Sequence, residues 1–118
     1  MAKRAGDKTT QLNVLRSICE GYLIISDFKQ AIYYEELHLK LEKEVGDRTG
    51  EGQAYNNLGH AFFNIKDFTK AINYHQLALA IFKETGDRAR AGVVYGNFGL
   101  DYENVDDFKK AFTIMNSL

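Results

Sequence analysis

Glu35-Glu36-Leu37-His38 is the first stretch with the residue types for metal chemistry, because a Glu-x-x-His pair sits one helical turn apart, as in carboxylate-bridged di-iron bundles. Such a site needs two of these motifs plus two further glutamates, and the sequence supplies one motif. His60 and His75, the remaining histidines, fall on different predicted helices without a third ligand at a metal-binding spacing. They read as helix-surface or core-edge histidines. Cys19 is the sole cysteine, which excludes an intramolecular disulfide and a cysteine-based zinc site and fits a reducing compartment. A glycine-rich phosphate loop, a nucleophile elbow and a His-Glu-x-x-His helix are all missing; Gly50-Glu51-Gly52 opens a helix, not a strand-to-helix turn. The chain therefore reads as neither an enzyme nor a holder of a metal or cofactor.

The elements beneath these residues follow a repeat. Gly46-Asp47-Arg48 returns as Gly86-Asp87-Arg88 and is preceded by Gly6-Asp7-Lys8, a spacing of 40 residues. Asp27-Phe28, Asp67-Phe68 and Asp107-Phe108 keep the same interval, as do Ala31-Ile32, Ala71-Ile72 and Ala111-Phe112. A period of this size implies a solenoid whose neighbouring units bury one another. Gly6-Asp7-Lys8 has the register of an inter-repeat turn, so the chain reads as starting inside a repeat.

Composition narrows the function. With 118 residues, 45% of them hydrophobic, the chain has the material for one domain, here 1–118. A net charge of −1, with no clustered basic run, speaks against nucleic acid and against an anionic membrane surface as partners. Apolar stretches such as Tyr22 to Ile25 fall far short of the roughly 20 residues that span a bilayer. No signal peptide is legible, and the expected location is cytoplasmic.

Apolar spacing then predicts the helices. Leu12, Leu15, Ile18, Cys19 and Tyr22 share one face of a helix from Thr9 to about Ile25. Phe28, Ala31, Ile32, Tyr34, Leu37, Leu39 and Leu41 point inward from a second, which runs to about Val45. Asp27 and Asp47 are N-cap residues, and Gly46 ends its helix in a left-handed conformation. The next pair runs over 48–65 and 68–85, with Ala54, Tyr55, Leu58, Gly59 and Phe62 facing Phe68, Ala71, Ile72, Tyr74, Ala78, Leu79 and Ile81. Gly59 and Gly99, at matching positions, imply a packing constraint, since glycine inside a helix costs about 1 kcal/mol against alanine. Arg48 and Arg88, beside the turns, read as solvated. A third unit has its first helix over 89–104, and its second starts at Phe108 and is short. The units are 9–47, 48–87 and a truncated 88–118.

The middle unit carries Tyr55, Leu58, Gly59, Phe62, Phe68, Ala71, Tyr74 and Ala78 where the tetratricopeptide repeat has its signature residues. Tyr95, Phe98, Gly99, Tyr102, Phe108 and Ala111 repeat much of that set; the first unit keeps Leu15, Ile18 and Tyr22 but has Cys19 and His38 in place of small residues. The chain thus resembles the tetratricopeptide repeat family. The resemblance implies an all-α, right-handed solenoid of antiparallel helix pairs, about two and a half repeats long. The longer unit, with GDRTGEGQAYNNLG, resembles the Pins/LGN group of adaptor proteins, whose repeats bind elongated peptide segments. The G-protein-regulating motifs of that group have no counterpart in this sequence.

Such a resemblance implies a concave groove lined by the first helix of each pair. Helical spacing then selects Asn13, Arg16 and Glu20; Gln53, Asn56, Asn57, His60, Phe63 and Asn64; and Gly96, Asn97, Leu100, Glu103 and Asn104. Asparagine amides both donate to and accept from an extended backbone, and Arg16 can pair with a carboxylate. Asn57 and Asn97 fit either a ligand contact or a bond within the fold. The clamp that captures chaperone C-termini in this family is mostly missing, its positions reading Arg16, Glu20, Asn57, Val93 and Asn97. The expected partner is a protein or peptide. An alternative use is a homodimer through the open face of the last helix, with Ile114, Met115 and Leu118.

Overall fold

The computed structural model describes residues 5–104 and 114–117. Five helices follow in order: α1 (Ala5–Ile24), α2 (Phe28–Val45), α3 (Arg48–Asn64), α4 (Phe68–Glu84) and α5 (Arg88–Asn104), and residues 114–116 are again helical. Each helix packs on the next, and α3 also touches α5, which is the nearest-neighbour arrangement of an α-solenoid built of antiparallel pairs. The stack measures 56 × 31 × 18 Å. Its radius of gyration of 15.0 Å exceeds the about 13 Å of a compact domain this long.

Four aspartates start four helices. The carboxylates of Asp27, Asp47, Asp67 and Asp87 accept from the backbone N–H of Gln30, Gly50, Lys70 and Arg90 at 3.0–3.3 Å, satisfying donors that the first turn leaves unpaired. Between pairs the chain turns at Gly46 and Gly86, with φ of 77° and 73°. Within pairs it turns at Ser26 and Lys66, which take the same left-handed region at 62° and 69° without being glycine. The Gly6-Asp7-Lys8 reading is corrected, because these residues lie inside α1. The Gly46 turn closes onto the carbonyls of Glu42 and Lys43, one turn back in α2, whereas among the described residues only Ala5 precedes Gly6.

Between α3, α4 and α5 the core is mostly apolar, with Leu58, Phe62, Ala71, Phe82, Val94 and Phe98 buried around the His75–Asp101 pair. Between α1, α2 and α3 it is not. The inner stripe of α2 is Ala31, Glu35, His38 and Glu42, all essentially inaccessible, whereas Leu37, expected inward, is 40% exposed. That stripe follows helical spacing, but three of its four members are ionisable, so a count of apolar residues points to the wrong face. His38 and His75 are likewise corrected from surface or edge positions to the interior, at 2% and 1% exposure.

Three glycines of α3 provide clearance for what faces them. A Cβ at Gly50 would enter the Glu42 carboxylate, one at Gly52 the Phe82 ring, and one at Gly59 the His75 imidazole. At Gly99 the nearest described atom is Met115 Sδ at 4.0 Å, an ordinary contact. The expected inward residues Phe108 and Ala111 lie outside the described residues, as does the side chain of Tyr102. Gly59→Ala is expected to lower the unfolding free energy by about 1–3 kcal/mol, as overpacking does. Gly21→Ala, where an added Cβ meets open space on an exposed helix face, should raise it by about 0.5–1 kcal/mol. Urea unfolding followed by circular dichroism checks both signs.

Candidate functional site

The buried stripe of α2 forms a chain of charge-assisted hydrogen bonds. His38 Nδ1 stands 3.0 Å from Glu35 Oε1 and Nε2 stands 2.8 Å from Glu42 Oε2. Burial pulls the imidazolium pKa down, but bonds and charge from Glu35 and then Glu42 outweigh it, so the pKa lies above the ordinary histidine value. In the imidazolium form both ring N–H groups donate. From α1, Arg16 Nη2 donates to Glu42 Oε2 at 2.6 Å; from α3, Asn57 Nδ2 donates to Glu35 Oε2 at 2.8 Å. The network therefore spans three helices. Cys19 of α1, 2% exposed, sits against Glu35, and its thiol is pushed up to about 12 by burial, by the Glu35 charge and by the hydrogen bond it gives that carboxylate. Glu42 Oε1 has no hydrogen-bond partner among the described residues.

Above this stripe lies a concave cavity of about 460 Å³. Its walls come from α1 (Arg16, Ser17, Glu20, Leu23), α3 (Gln53, Asn56, Asn57) and α5 (Arg90, Val93), with Cys19, Glu35, His38 and Phe82 behind them. The Gln53 amide, with its oxygen toward α5, accepts from Arg90 Nε and Nη2 at 3.1 and 3.2 Å. Asn97 Nδ2 donates to Asn56 Oδ1 at 3.0 Å, which joins α5 to α3 across the same surface.

A smaller hollow of about 170 Å³ is lined by His60, Phe63, Asn64, His75, Asn97, Leu100 and Asp101. At its back His75 Nδ1 meets Asp101 Oδ2 at 2.5 Å, while His75 Nε2 and Asp101 Oδ1 have no partner among the described residues. Burial raises the Asp101 pKa more than His75 lowers it. The His60 pKa is lowered, first by burial and then by the charge of His75.

Of the residues expected in a groove, Arg16, Glu20, Gln53, Asn56 and Asn57 meet in the larger cavity, and His60, Phe63, Asn64, Asn97 and Leu100 in the smaller. Asn13, Gly96 and Glu103 are exposed outside both, and the side chain of Asn104 lies outside the described residues. Arg16 and Asn57 are already engaged by buried carboxylates. Arg48, expected to be solvated, is exposed and also forks onto Glu84 at 2.9 and 2.7 Å and reaches Glu51 at 2.9 Å, tying the start of α3 to the end of α4. For the open end face, Met115 is exposed, Ile114 is half-buried against the α3–α5 core, and Leu118 lies outside the described residues. Glu35, His38, Glu42, His75, Asp101 and Arg90 were missed by apolar spacing. The stripe 31, 35, 38, 42 was the available signal.

The family model described as Tetratricopeptide repeat matches residues 50–117. The chain belongs to the tetratricopeptide repeat family. Among 19 matching chains of solved structures is the crystal structure of the tetratricopeptide repeat domain of Arabidopsis FLU. It superposes with a TM-score of 0.86 over 93% of this chain and 92% of that one, at 24% identity, which is a likeness of fold. No curated protein matches. Tetratricopeptide repeat domains generally mediate protein–protein interaction, and a protein partner is the role the family gives this chain. Among the described residues no helix is long and apolar enough to cross a membrane.

Asn57→Ala leaves a buried Glu35 oxygen without its donor and is expected to cost about 1–3 kcal/mol of stability. Asn64→Ala, at an exposed position of the same helix, should stay within about 0.5 kcal/mol of wild type in the same urea titration.

Proposed function

We propose that the chain captures an extended segment of a protein partner in the concave cavity between α1, α3 and α5. The observation that carries this reading is the cavity of about 460 Å³, whose walls present amides from one helix and opposite charges from its neighbours. Gln53 and Asn56 are half-buried there, held by Arg90 and Asn97, so their side chains are fixed before a ligand arrives. Fixed amides suit a backbone that repeats one donor and one acceptor per residue, and ordering them in advance reduces the entropy cost of binding. Arg16, Glu20 and Arg90 add charge at the rim. An adaptor role, in the manner of the Pins/LGN group that the stretch 46–68 resembles, follows from this reading, with the repeats as units 9–47, 48–87 and 88–118.

Self-association through the open end face is the weaker reading. Of its three expected residues only Met115 is exposed among the described residues. Selection from a displayed peptide library, followed by titration of the best sequences, tests the groove. The double variant Gln53→Ala and Asn56→Ala is expected to bind at least about tenfold more weakly, a loss of about 1.4 kcal/mol, with an unchanged circular dichroism spectrum. Equal binding by the variant would place the contact elsewhere on the molecule.

A further inference from the structure

The interior beside α1 holds more ionisable chemistry than the fold requires. Positions 19, 35, 38 and 42 carry Cys, Glu, His and Glu, whereas 40 residues on the same positions carry Gly59, His75, Ala78 and Phe82. Both sets are buried, and the second packs α3 on α4 with a single ionisable side chain. The repeat can thus be built without the first set.

One ligand atom from each of Cys19, Glu35 and His38 lies within 4.8 Å of the other two, and all three residues are buried. A tetrahedral zinc ion holds its donors roughly 3.3–3.8 Å apart, from metal–ligand bonds of about 2.0–2.3 Å. A contraction of at most about 1–1.5 Å therefore brings sulfur, nitrogen and oxygen into one coordination sphere. We propose that Cys19, Glu35 and His38 form a zinc(II)-class divalent cation site between α1 and α2, with a fourth position open toward the concave cavity.

Four features favour a cation over three independent side chains. The donors are mixed soft and borderline, thiolate with imidazole and carboxylate, which suits zinc rather than magnesium or calcium. Each coordinating group of α2 already has an outer partner. Asn57 donates to Glu35 Oε2, and if the ion takes His38 Nδ1, now facing Glu35, then Nε2–H still donates to Glu42, itself paired with Arg16. Carboxylate-oriented imidazole of this kind is the usual outer shell of a metal-bound histidine. Charge also balances, because a divalent cation neutralises one thiolate and one carboxylate, leaving Glu42 to Arg16. Access exists as well, since Cys19, Glu35 and His38 all line the cavity of about 460 Å³. A single cysteine suffices for such a mixed site, which counting cysteines in the sequence does not reveal.

Cobalt(II) titration of the full chain is the test. With one cysteine in the sequence, a thiolate-to-cobalt charge-transfer band reports Cys19 alone. The band is expected to saturate at one equivalent, to vanish in Cys19→Ala, and to be displaced by zinc(II). Asn57→Ala, which frees the Glu35 carboxylate, should keep the band and weaken cobalt binding about 10–100-fold. No band with wild type, or a band that survives Cys19→Ala, overturns the proposal. Should the variants unfold, zinc-edge X-ray absorption of the zinc-treated wild type decides without them. One sulfur in the first shell supports the site, and a shell of nitrogen and oxygen alone overturns it.

Discussion

The packing of α2 between its neighbours depends on one imidazole held between two carboxylates in the interior. Because Glu35, His38 and Glu42 occupy the face that a helix normally gives to leucine or alanine, α2 docks through directional bonds instead of area alone. Arg16 from α1 and Asn57 from α3 complete the set, so the docking geometry of three helices is specified by hydrogen bonds that tolerate little sliding. Buried ion pairs of this kind are not a cheap source of stability, since removing one partner typically costs about 3–5 kcal/mol while apolar replacement of the whole is often neutral. The α3–α4 contact, with Gly59, His75, Ala78 and Phe82 at the matching places, shows a solution with one ionisable side chain within the same molecule.

That contrast gives the solenoid two halves of different character. Toward α5 the stack is held mainly by aromatic and aliphatic burial around the single His75–Asp101 pair, and the closest approaches are set by glycines that leave room for an imidazole and a phenyl ring. Toward α1 the same backbone encloses charge. The concave surface crosses the boundary, and its amides are tied on one side to buried carboxylates and on the other to Arg90 and Asn97. Residues that line the concave surface are thereby fixed by residues beside and beneath them, which gives an ordered surface.

Much of the architecture was legible in the sequence because its signals are local. Asp27, Asp47, Asp67 and Asp87 mark helix starts with a side-chain oxygen at the right distance from an unpaired N–H, and Gly46 and Gly86 mark turns that need a left-handed backbone. Ser26 and Lys66 adopt that backbone without the residue type that advertises it. The site was only half legible. Spacing on the first helix of each pair selected Gln53 and Asn56, which line the larger cavity, and His60 and Asn97, which line the smaller, but it could not show that Arg16 and Asn57 face inward as well as outward. Nor could it find Glu35, Glu42 or Asp101, because ionisable residues at core spacing look like a solvated stripe until their partners on other helices are in view. Gly6-Asp7-Lys8 misled for the complementary reason, a motif whose meaning depends on the helix before it.

The central claim, that α2 is seated by a charged imidazole with both ring nitrogens engaged, is tested most directly by nitrogen-15 and proton NMR of the His38 ring in metal-free protein. Two protected ring N–H resonances are expected to persist above pH 6.5, the ordinary histidine value, with titration shifted upward. A neutral ring with one rapidly exchanging N–H, titrating at or below that value, would contradict it.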